Sequence, residues 1–223
     1  MDILEQKKKI QSILNVFETG SIGGDYGNVS IFSDGPKDRR QITYGRSQTT
    51  EWGHLPSLVK EYVQAEGKYS SFFQPYLPKI GKVSLVEDVK FINKLKDAGK
   101  DPVMQKTQDV FFDEHYWAPA YGFVKANGFT LPLSGLVIYD SYIHSGSVPD
   151  FLRSKFPAKV PAKGGNEKQW IEQYLNVRNS WLANHTRPIL RKTTYRTKNM
   201  IAAVKENNWD LSKTFVANGL KVA

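Results

Sequence analysis

Two carboxyl groups near the amino end of the chain stand in contrasting surroundings. Glu18 closes the apolar run in SILNVFETG, where partial desolvation raises a carboxyl pKa and favours the protonated form. Asp38 sits in the polar turn SDGPKDRR beside Arg39 and Arg40, which favour its ionised form. A pair divided in this way suits glycosidic hydrolysis, in which one carboxyl protonates the departing oxygen and the other activates water. Without further context, a Glu and an Asp are more often solvated surface charges. Thr43 follows on a presumed strand, and its hydroxyl, able both to donate and to accept, could orient the attacking water. On pattern alone it is a β-branched strand former.

The elements that must hold these residues are read from periodicity. Ile10, Ile13, Leu14 and Phe17 share one face of a helix predicted over Leu4 to Phe17, which Gly20, Gly23 and Gly24 stop. From Tyr26 to Tyr44 apolar and polar residues partly alternate, through Val29 and Ile31 and again Ile42 and Tyr44, with the turn SDGPKD between them. This predicts a short, irregular hairpin. Helices are predicted over Leu55 to Ala65, then Ser84 to Ala98 with a Ser84/Glu87 capping box, then from Pro102 towards Trp117 with Asp101 as cap. Leu133 to His144 is apolar on nearly every side and reads as a buried central helix. Pro157 to Gly165 reads as a surface crossover, and two further helices are predicted over Glu167 to Ala183 and Lys198 to Glu206. The expected fold class is mainly α with a small β-sheet (α+β), with no internal repeat and residues 1–223 in one domain.

Composition narrows the function classes. A chain of 223 residues with 40% hydrophobic content can build one large domain or two lobes around a shared cleft. The absence of cysteine excludes a disulfide scaffold and a thiolate metal site. MDILEQKKKI has no apolar run ahead of a small-residue cleavage site, and no later stretch is long enough to span a bilayer, so a soluble protein is expected. A net charge of +9 favours an anionic partner, whether nucleic acid, cell wall or headgroups. With no zinc finger, helix-turn-helix signature or regular basic and aromatic interleaving, nucleic acid is not expected. The tyrosines and tryptophans suit a core, or a surface that recognises sugar or protein. His144 is read as a satisfied structural histidine, since no metal-ligand spacing or nucleophile motif accompanies it. Gly23 and Gly24 lack the Lys-Ser or Lys-Thr of a phosphate loop and read as turn residues.

Longer segments add a family resemblance. FETG followed by DRRQITYGR resembles the FENG and DGRGITAGR segments of the glycoside hydrolase family 46 chitosanases. The likeness continues in order through DPVMQKTQDVFFDEHYW, LVIYDSYIHSG and GGNEKQWIEQYLNVRNSW. The resemblance implies a lysozyme-like fold with two mostly helical lobes around a substrate cleft, and endo-hydrolysis of β-1,4 glucosamine linkages in chitosan with inversion. It carries the general acid onto Glu18, the general base onto Asp38 and the residue holding the water onto Thr43. Arg40 matches an arginine beside the base, with Tyr44 among the supporting residues. A charge network that reaches the acid falls on Asp140, Arg178 and Arg196, with Arg191 a competitor for the last position. The family's cleft offers a sugar-gripping aspartate after the TAGR segment. Here that stretch is shorter and reads YGRSQTTEWGHL, leaving Glu51 as the nearest carboxylate and His54 close to the expected place. The resemblance further implies an extracellular, monomeric enzyme that needs no cofactor or metal. Two alternatives stay open: a lysozyme-like peptidoglycan hydrolase, which the basic balance favours, and a non-catalytic polysaccharide-binding module.

Overall fold

The computed structural model describes residues 2–46 and 48–223. The chain forms two compact units, one of Glu18–Asp113 and one assembled from Met1–Phe17 and Glu114–Ala223. Helix α1 (Lys7–Thr19) buries Ile10, Ile13, Leu14 and Phe17 along the predicted stripe. It continues two residues past the predicted end, so Glu18 lies within its last turn.

In the Glu18–Asp113 unit, β1 (Val29–Phe32), β2 (Gln41–Tyr44) and β3 (Thr49–Thr50) form an antiparallel sheet in that order. Thr43 lies opposite Ser30 on one side and Thr50 on the other. The third strand, two residues long, is too short to show alternation in sequence. Helices α2 (Leu55–Gln64), α3 (Ser70–Phe73), α4 (Val89–Ala98) and α5 (Pro102–Phe112) complete the unit. The Ser84/Glu87 capping box does not form. Helix α4 starts later, because Asp88 accepts the Phe91 amide at 2.9 Å and supplies the cap itself. Asp101 caps α5 as expected, through the Val103 amide at 3.0 Å, and also accepts from the Tyr62 hydroxyl at 2.6 Å.

A π-helical stretch, Asp113–Trp117, leads into α6 (Ala118–Ala126). There follow α7 (Pro132–Ser145), α8 (Asp150–Arg153), α9 (Glu167–Ala183), α10 (Pro188–Arg191) and α11 (Thr194–Lys205), and then a hairpin of β4 (Phe215–Ala217) and β5 (Leu220–Val222). Helix α7 is buried nearly all round, as its apolar run predicts, and ends where Gly146 takes φ +76. Its Leu136, Val137 and Ile138 share a core with Ile10, Ile13 and Leu14 of α1 and with Trp170, Ile171 and Tyr174 of α9. Helix α11 packs on α9 and begins four residues earlier than predicted, which brings Arg196 inside it.

Candidate active site

The two carboxyl groups singled out in the sequence both belong to the Glu18–Asp113 unit, on different kinds of backbone. Glu18 is half-buried in the last turn of a regular helix. Asp38 is exposed at the tip of the loop between β1 and β2, where Pro36–Asp38 forms a single 3₁₀ turn. Lys37 and Asp38 both have φ 57, a left-handed conformation that aspartate tolerates and lysine disfavours. The loop is closed beneath them by the Gly35 amide donating to the Arg39 carbonyl at 3.0 Å. The Gln41 side-chain amide ties its base to Asp34 at 2.9 Å.

Strand β2 sorts its side chains by alternation. Ile42 and Tyr44 point to one face and are fully buried, so Tyr44 is a core support that no substrate reaches. Thr43 points the other way. Its hydroxyl lies 3.2 Å from the Ser30 carbonyl oxygen and 3.0 Å from Gln48 Oε1. At 3% exposure Thr43 suits contact with a single water rather than with a sugar ring.

Glu51 departs from expectation. It is fully buried, with one oxygen accepting the Ile42 amide at 3.1 Å and the other the Leu85 amide at 2.6 Å. A carboxylate held in this way clamps β2 to a distant loop and is not available to grip a sugar. Glu51→Gln would turn its new NH2 group towards one of those amides. It is expected to lower the unfolding free energy by about 2–3 kcal/mol in urea titration while leaving KM for oligosaccharides unchanged. His54 is exposed at the start of α2, its ring edge-on to Phe111 at 5.9 Å. Arg40 pairs with Glu87 at 2.6 Å across an exposed surface, a contact of the kind that contributes little to stability.

The charge network expected from the resemblance involves three side chains in the other unit. Asp140 is completely buried in α7, with Oδ2 accepting from Arg178 Nη1 at 2.6 Å. Its Oδ1 accepts from Arg196 Nη2 at 2.6 Å and Nε at 2.9 Å. Burial alone would raise the Asp140 pKa, but the Arg196 and Arg178 guanidiniums outweigh it and hold the carboxyl at about 2. Arg191, the competitor, is exposed and donates to the carbonyls of His185 and Thr186. Arg196 also lies over the Phe17 ring at 5.2 Å, and the neighbouring Tyr195 hydroxyl donates to the Phe17 carbonyl at 2.6 Å. That carbonyl is in the last turn of α1, where helix oxygens lack intrahelical partners. His144 sits one turn after Asp140. Burial first, and then the two arginines, lower its pKa to about 3, so it is neutral in the fold. The expectation of a satisfied histidine is not met at Nδ1, which is buried without a protein hydrogen bond among the described residues.

Charge is divided unevenly between the units. Of the 31 Lys and Arg, 13 lie in residues 18–113 together with 13 of the 22 Asp and Glu; the remaining 18 and 9 place the whole +9 in the other unit. The unit that carries Glu18, Asp38 and Thr43 is therefore electrically balanced.

Comparison with known proteins identifies the family. Over 227 residues the chain is 29% identical to a chitosanase of Bacillus subtilis (strain 168), covering 93% of this chain and 80% of that protein. Its fold is similar to a mutant chitosanase from Bacillus subtilis MY002 complexed with 6 GlcN, with a TM-score of 0.85, 25% identity and 98% of both chains covered. It is also similar to the family 46 chitosanase of Gynuella sunshinyii in complex with chitotetraose, with a TM-score of 0.83, 23% identity and 97% and 96% covered. The helical fold with its small antiparallel sheet is the lysozyme-like one. The family model for glycosyl hydrolase family 46 matches residues 12–215, a span that holds both carboxyls, Thr43 and the Asp140 network, and the chain belongs to that family.

Proposed function

We propose that the protein is an endo-acting hydrolase of chitosan that cleaves β-1,4 glucosamine linkages with inversion, with Glu18 as acid, Asp38 as base and Thr43 as the holder of the water. The observation that carries the reading is the family match over residues 12–215, a span that includes all three positions. In the reaction Glu18 gives its proton to the glycosidic oxygen as the bond from that oxygen to the anomeric carbon breaks. On the opposite face a water forms the new bond to that carbon and passes its proton to Asp38. The helix and the loop keep these two tasks on separate elements. In the other unit, the Asp140 network serves to hold Phe17, next to Glu18 in sequence, through the contacts of Arg196 and Tyr195 with it.

A cationic polymer is compatible with this unit because it carries no net charge, so the basic balance of the chain gives no reason to prefer peptidoglycan. The proposal extends to an extracellular site of action for a monomeric enzyme, as in the resemblance. Proton NMR of the first products from chitosan oligomers tests the reading: the α-anomer is expected before mutarotation. The β-anomer would overturn inversion, release from peptidoglycan alone would change the substrate, and binding without turnover would leave a sugar-binding module.

A further inference from the structure

Gln48 lies in the turn that joins β2 to β3, at φ 54. Its amide N–H donates to the Gly45 carbonyl at 3.1 Å, and its side-chain Nε2 donates to the same oxygen at 3.3 Å. This leaves Oε1 facing the Thr43 hydroxyl at 3.0 Å. The turn is itself anchored on α5. Gly45 has φ +81, where a side chain is strained, and a Cβ there would meet Gln108 Oε1 at 2.4 Å and force that amide to move. Gln108 accepts the Arg46 amide at 3.2 Å and donates to the Tyr26 carbonyl at 2.9 Å, and Arg46 pairs with Asp109 at 3.1 Å.

A threonine hydroxyl has one hydrogen and two lone pairs. Two acceptors, Gln48 Oε1 and the Ser30 carbonyl, compete for that single hydrogen. If the Gln48 amide is turned over, Nε2 donates to Thr43 and the hydroxyl hydrogen goes to Ser30. Either way the hydrogen stays inside the protein, and a water meeting Thr43 must do so as a donor. A water that donates one hydrogen to Thr43 and the other to Asp38 has a lone pair left to face the anomeric carbon.

We propose that Gln48 is a positioning residue that shares with the Ser30 carbonyl the task of keeping the Thr43 hydroxyl an acceptor and fixes the direction of its free lone pair, and so sets the orientation of the nucleophilic water. This rests on the role assigned to Thr43 above, and a double-mutant cycle separates the two claims. Gln48→Met keeps length but removes both polar atoms; Thr43→Val keeps shape but removes the hydroxyl. Gln48→Met is expected to lower kcat about tenfold with KM unchanged, and to have no further effect once Thr43→Val is present. An equal loss in both backgrounds would mean that Gln48 only shapes the turn, and a silent Gln48→Met would mean that it does nothing; either overturns the inference. A silent Thr43→Val would instead remove the water-holding role, and with it this inference, while leaving the carboxyl assignments standing. Thr43→Ser covers the case in which Thr43→Val is too slow to measure. Without its β-methyl the hydroxyl turns more freely, so Gln48→Met should cost more there than in the wild type. An equal or smaller cost would overturn the inference.

Discussion

Glu18→Gln is expected to lower kcat on chitosan oligomers by about 10²- to 10⁴-fold while KM stays close to the wild-type value. The amide keeps the shape of the side chain but has no acidic proton for the leaving oxygen. A glycoside with a leaving group that departs readily as an anion needs little protonation, so the loss should shrink on such a substrate. Asp38→Asn should be impaired on both substrates, because water must still be activated whatever group departs. The contrast between the two variants tells acid from base without any reference to pH. Near-normal chitosan hydrolysis by Glu18→Gln would end the assignment.

Asp140→Asn carries the second large effect, this time on stability. The change leaves the Arg178 and Arg196 guanidiniums buried without the carboxylate that holds them, and breaking a buried pair from one side costs about 3–5 kcal/mol. Urea titration should show the unfolding free energy falling by that amount, and a loss below about 1 kcal/mol would mean that the network behaves like a surface ion pair. Acid should act on the same region. Asp140 titrates lower in the fold than its ordinary 3.8, so its contribution is complete above 3.8 and is lost as pH falls towards 2. His144 is neutral in the fold down to about 3 but takes up a proton below 6.5 when unfolded, so stability is drawn down as pH falls from 6.5. Both groups therefore weaken the fold in acid. The melting temperature should start to fall well above the carboxylate range, and His144→Gln should flatten the upper part of that decline.

Local signals in the sequence were readable where one mechanism acted alone. Helix α9 matches its predicted span because Asn166 caps the Gln169 amide and no rival cap lies nearby. At Ser84 and Glu87 a valid local signal lost to a neighbour: Asp88 took the cap, and Glu87 turned to Arg40. Glu51 was misread for a different reason. A carboxylate in a polar, glycine-bearing stretch looks solvated, and the amide that helps to bury it belongs to Leu85, far along the chain. The competition between Arg191 and Arg196 was likewise open in the sequence, because it depends on where α11 begins. Gln48 had no readable signal beyond its place five residues after Thr43. Glu18 and Asp38 drew their weight from the ordered family segments around them, since two carboxyls alone carry little specificity.

The division of the chain also sets an order of events during synthesis. The first seventeen residues belong to a unit whose other residues begin at Glu114, so a complete unit is inserted between two parts of another. On the ribosome, the Glu18–Asp113 segment emerges in full before α7 and α9 have done so. The residues that share a core with Ile10, Ile13, Leu14 and Phe17 begin, apart from Ile3 and Val16, at Trp117. The helix bearing Glu18 thus leaves the exit tunnel with an apolar stripe that has no native cover until a further hundred or so residues have been added, several seconds at ordinary translation rates. For that interval the nascent chain offers a sticky amphipathic segment to any chaperone or neighbouring polypeptide within reach.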